Sequence, residues 1–79
     1  MEFDDILDEA MYGGVKLIVT TKSRGEIEGV PTYLDDFISD PERLGYCLDV
    51  GRHESDTVFL DEIVEIRDSK TEAILSTAV

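Results

Sequence analysis

The chain has 79 residues, 42% of them hydrophobic, and 19 acidic against seven basic side chains give it a net charge of −12. That length supports one core rather than two, and the apolar share excludes wholesale disorder. No apolar run approaches the roughly 18 residues of a membrane-spanning helix, and one cysteine rules out an internal disulfide or a four-cysteine zinc site. A single domain over 1–79 is therefore expected. Its acidic, amphipathic N-terminus lacks the basic-then-apolar order of a secretory signal and predicts a cytoplasmic protein.

Phe3, Ile6, Leu7, Ala10 and Met11 recur at helical spacing and predict a helix over about 3–12 with one apolar stripe. Asp4 and Asp5 suit the positive end of its dipole, and Gly13-Gly14 ends it. The stretch VKLIVTT, 15–21, is β-branched and predicts a strand with Val15, Leu17 and Val19 on one face. KSRG reads as a tight turn in which Gly25 takes positive φ. EIEGVPTYL follows as a second strand, interrupted by Gly29 and Pro31. A glycine inside a strand marks a bend or bulge, and proline brings no donor to a ladder, so this strand should curl.

Residues 35–45 form a polar connection, in which Asp40-Pro41-Glu42 suits the start of a short helical turn. LGYCLDV, 44–50, predicts a third strand with Leu44, Tyr46, Leu48 and Val50 alternating inward. GRHESD is a hairpin loop. TVFLDEIVEIRD supplies Val58 and Leu60, a break at Asp61-Glu62, then Ile63, Val64 and Ile66. The tail 68–79 is open between an edge strand, a frayed end and a short helix. The sum is a mainly β fold: a small, strongly bent, five-stranded antiparallel barrel over about 15–67, with the N-terminal α-helix closing one end.

Gly29, then Leu34 and Asp35 six residues on, resembles the second-strand pattern of the Sm-like (SH3-like) small barrels, which also place a helix before five strands. Where that family carries an asparagine after the aspartate and an arginine–glycine pair near strand four, this chain has no asparagine and has Leu60-Asp61. A carboxylate there repels phosphate. A second resemblance fits those departures better. The acidic (Rof-type) inhibitors of the transcription terminator Rho are similar in Asp5-Ile6-Leu7-Asp8-Glu9-Ala10, in Gly25, in Gly45 to Val50 and in Leu60-Asp61-Glu62-Ile63. That resemblance implies a protein that covers an RNA-binding surface on its partner.

Catalytic patterns are weak. His53 is the sole histidine, and no side chain frames it as a base. Cys47 sits in an apolar run without the cation that would make a reactive thiolate. Asp49, His53, Glu54 and Asp56 lack the spacing of a calcium loop. No glycine-rich phosphate cradle is present. Neither a cofactor nor a resident metal is expected, and the chain does not read as an enzyme. Tyr12, Tyr33 and Tyr46 are not interleaved with Lys or Arg and so read as packing groups.

The leading expectation is an acidic interaction module that binds a basic protein surface through Asp4, Asp5, Asp8 and Glu9 on the helix, with Asp35 and Asp36 nearby. Direct nucleic-acid binding and membrane association are not expected, and the oligomeric state is open. The competing expectation is an Sm-like RNA-associated protein, assembled as a ring, with a basic patch seeded by Lys16, Lys22, Arg24 and Arg52.

Overall fold

A computed structural model describes residues 2–35 and 44–78. The elements run helix α1 (Phe3–Gly13), strands β1 (Leu17–Thr21), β2 (Gly25–Asp35), β3 (Gly45–Gly51) and β4 (Glu54–Phe59), a 3-10 turn (Leu60–Glu62), then β5 (Ile63–Asp68) and β6 (Ile74–Thr77). The fold is mainly β, as the sequence predicts, but the strand count is corrected from five to six. The six strands form one antiparallel sheet in the order β4-β3-β2-β1-β5-β6. The sixth comes from the tail, whose turn is built on Asp68: its Oδ1 accepts the Lys70 and Thr71 N–H groups at 2.8 and 3.0 Å. That turn brings Ile74 opposite Arg67. The helical turn expected at Asp40-Pro41-Glu42 lies outside the described residues.

The centre of the fold is the interrupted strand. β2 pairs with β1 from Gly25 to Gly29 and with β3 from Val30 to Asp35. It hands over its partners between Gly29 and Val30. Pro31 lies beyond its ladder with β1, so its missing N–H breaks no bond on that side. Just past it, Pro31 faces Leu48 and Tyr33 faces Cys47, leaving Thr32 as a bulge. Gly29 is required by close approach: a Cβ there would stand 2.7 Å from the Asp49 carbonyl oxygen.

Two other bulges decide which side chains face inward. In β5, Thr20 faces Glu65 and Thr21 faces Ile63, so Val64 is extra and both Ile63 and Ile66 turn to the core. In β3, Asp49 faces Ser55 and Gly51 faces Glu54, so Val50 is extra. The expected inward alternation of Leu44, Tyr46, Leu48 and Val50 is thereby corrected. Tyr46 and Leu48 are buried, whereas Val50 at its bulge and Leu44 ahead of the strand are partly exposed. Val15 likewise precedes β1 and is partly exposed. Cys47 is buried, its Sγ 3.7 Å from Thr57 Oγ1.

Turn chemistry follows the residues. Lys22, Ser23 and Arg24 form a three-residue hairpin loop closed by Gly25 at φ 72°. Buried Thr21 satisfies it, accepting from the Arg24 N–H and donating to the Gly25 carbonyl, both at 3.0 Å. The β3–β4 hairpin turns on Arg52 and His53, at φ 56° and 62°. That is the two-residue geometry usually supplied by Asn-Gly.

Helix α1 lays Ile6, Leu7 and Ala10 into the same core as Leu17, Val19, Leu48, Val58 and Ile66. It ends at Gly14, whose φ of 65° no branched residue would adopt cheaply. The helix therefore packs on the sheet and does not project from it.

Candidate interaction surface

The acidic residues of α1 divide by face. At 3.6 residues per turn, Asp4 and Asp8 lie on the edge that meets β3, and Asp5 points to solvent. Glu9 flanks Ile6 and Ala10 on the other edge. Asp5 and Glu9 are exposed, whereas Asp4 and Asp8 are half-buried. The reason is Tyr46. Its ring is 1% exposed, and its hydroxyl donates to Asp8 Oδ1 at 2.7 Å, with the Asp4 carbonyl oxygen 3.4 Å away. Burial, then the adjoining Asp8 carboxylate, pushes the Tyr46 phenol well above its ordinary value. At physiological pH it is a permanent hydrogen-bond donor that locks the helix to β3, not a proton acceptor. Asp35 ends β2 with its backbone opposite Gly45, and Asp36 lies outside the described residues.

The pairing of Tyr46 with Asp8 was not legible from local spacing, since the two are 38 positions apart. The signal that could have raised it is general: a tyrosine in phase with core positions still needs a partner for its hydroxyl. Of the other tyrosines, Tyr12 is 87% and Tyr33 54% exposed.

Three of the described cations, Lys16, Arg24 and Arg67, face carboxylates. Arg24, at the β1–β2 turn, reaches Asp56 of β4 at 2.8 Å, the Thr57 carbonyl at 2.7 Å and Glu62 of the 3-10 turn. The Glu62 carboxylate also accepts the Phe59 N–H at 3.2 Å, and its carbonyl accepts the Lys22 N–H at 2.9 Å. Arg67 of β5 spans β1 to Glu26 of β2, and Lys16 pairs loosely with Glu28 at 3.9 Å. The guanidinium of Arg24, held first by its hydrogen bond to Glu62, stays charged at every accessible pH.

The described surface is rich in carboxylates. Asp49 is used in its own turn, accepting the Gly51 N–H at 2.9 Å. His53 is exposed at the hairpin tip. Among the described residues, no three of His, Cys, Asp and Glu gather so as to hold a metal ion, and no helix is long and apolar enough to cross a membrane. In comparisons with protein-family models, characterised proteins and solved structures, nothing matches this chain.

Proposed function

We propose that the chain is a non-catalytic, cytoplasmic interaction module: a small barrel of SH3-like or Sm-like type whose acidic helix binds a basic protein surface, of the kind that otherwise holds nucleic acid. The observation that carries the reading is the charge of −12 on a compact 79-residue fold. Asp5 and Glu9 stand exposed on a helix whose orientation Tyr46 and Asp8 hold. Such a surface steers a cationic partner from a distance and holds it in a salt-dependent way.

The barrel reading is supported by the run β5-β1-β2-β3-β4 within the sheet and by the change of partners in the middle of β2. A further support is Arg24, which joins the β1–β2 turn to β4 and to the turn before β5. The RNA-binding reading has less behind it, because two of its four seed cations, Lys16 and Arg24, already face carboxylates.

The test is affinity capture from native lysate with mass spectrometry, repeated with Asp5→Lys/Glu9→Lys. The expected result is a partner with a basic surface, released by about 1 M salt and lost from the charge-reversed variant. Captured proteins that survive that salt and bind both forms equally would remove the reading.

A further inference from the structure

The edge of α1 opposite Tyr46 borders a groove. Ile6, Ala10, Val15, Leu17 and Leu75 form its walls, and among the described residues Glu9 is its one charged lining residue; its volume is about 290 Å³. Two irregularities of the backbone create it. The chain leaves α1 at Gly14 before β1 begins, so Val15 sits outside the ladder at 39% exposure. In β6, Ile74 faces Arg67 and Ser76 faces Ile66, which leaves Leu75 as the extra residue of a bulge. Bulges re-aim side chains, and Leu75 is aimed at α1 while remaining 41% exposed. Apolar walls left open beside a charged rim are how grooves for partner segments are built.

Resting on the reading of the chain as a binder of basic protein surfaces, we propose that this groove is the anchor point of the interface. It takes one large aliphatic side chain of a partner segment in which that side chain is flanked by lysine or arginine. The choice of occupant follows from charge. Glu9 lines the groove on the helix side, and Asp5 stands one helical turn before it on the exposed side, while Lys16, beyond Val15, faces Glu28 at 3.9 Å. A flanking cation can therefore meet a carboxylate while the aliphatic group displaces water from Val15 and Leu75, over a floor of Ile6, Ala10 and Leu17 that the fold already buries. A second copy of this chain suits the site poorly, since it would bring another −12 against the same rim. A free apolar small molecule would leave the carboxylates unanswered, and the volume of about 290 Å³ falls just below the roughly 300–1,000 Å³ of small-molecule pockets.

The test uses two fluorescein-labelled peptides, one with a single central leucine flanked by lysines and a companion with serine in place of that leucine. Binding is read by anisotropy at low and high salt. The leucine peptide should bind about tenfold more tightly than its companion, the effect expected for burying one such side chain. Leu75→Ser and Val15→Ser, both at partly exposed positions and checked for fold by circular dichroism, should each erase that preference. Glu9→Gln should weaken both peptides alike. Equal, salt-sensitive binding of the two peptides would overturn the groove proposal and leave the broader reading standing. Leucine-dependent binding indifferent to salt would overturn the basic flank, and with it the broader reading. Binding of neither peptide would overturn the proposal, as would a doubling of mass in sedimentation that Leu75→Ser abolishes.

Discussion

Tyr46→Phe removes one oxygen from the middle of the fold and tests how the helix is held. The ring stays, 1% exposed in the parent, so no cavity of note is made. What is lost is the 2.7 Å donation to Asp8 Oδ1. A hydrogen bond to a charged group contributes about 1.5–3 kcal/mol. Because Asp8 is only half-buried, its carboxylate recovers water, which places the loss near the lower bound, about 1.5 kcal/mol. At 0.05–0.15 kcal/mol per residue, a domain of this size has roughly 4–12 kcal/mol in total, so the change is large. With about 4–8 °C per kcal/mol for such domains, the melting temperature should fall by about 6–12 °C. Urea unfolding should show a lower midpoint with an unchanged slope. Asp8→Ala and the double variant complete a cycle whose coupling should be about 1 kcal/mol.

The same contact predicts an alkaline limb. The folded phenol of Tyr46 is raised above its ordinary value of 10.0. Its contribution is therefore complete below about pH 10 and is lost as pH rises above that, because the unfolded chain releases the proton first. The parent should lose stability above pH 10, and Tyr46→Phe should lose less over the same range. A Tyr46→Phe protein within about 0.3 kcal/mol of the parent, with no coupling to Asp8, would refute the account of how α1 is anchored.

Gly29→Ala drives a methyl group to within 2.7 Å of the Asp49 carbonyl oxygen, a backbone contact that only separation of β2 from β3 relieves; denaturation should show a loss of about 1–3 kcal/mol. Arg52→Asn combined with His53→Gly replaces two residues held at positive φ by the pair this turn favours, and should raise stability by about 1–2 kcal/mol in the same assay. The Asp68 carboxyl is held below its ordinary 3.8 by the Thr71 and then the Lys70 backbone N–H groups. Its stabilising effect is present above that pH and lost as pH falls through the lower folded value. Asp68→Asn should therefore melt below the parent at neutral pH, with the gap narrowing under acid.

Much of the fold could be read from local chemistry. The apolar stripe of α1, the stop at Gly13-Gly14, the positive φ of Gly25, the break at Asp61-Glu62 and the interruption of β2 at Gly29 and Pro31 all follow from residue types at fixed spacings. These are short-range facts, and a linear pattern carries them. The bulges at Val50, Val64 and Leu75 were not legible, and they turned Val50 out, Ile63 and Ile66 in, and Leu75 toward the helix. Where no glycine or proline stands at the extra residue, a bulge is only a mismatch between two strands, and neither strand announces it alone.

The candidate surface divides the same way. Its acidity is written in the composition, and the helix that carries it is written in the periodicity. Which carboxylates are exposed was decided by tertiary structure: Asp8 is engaged because Tyr46, distant in sequence, needs an acceptor, while Asp5 and Glu9 remain exposed. Arg24, which the sequence offers as one seed of a basic patch, is a tie among the β1–β2 turn, β4 and Glu62 for the same reason. Local sequence sets the backbone's repertoire and the sign of the surface charge. Only packing brings distant polar groups within 3 Å, and burial is what makes such a pairing matter.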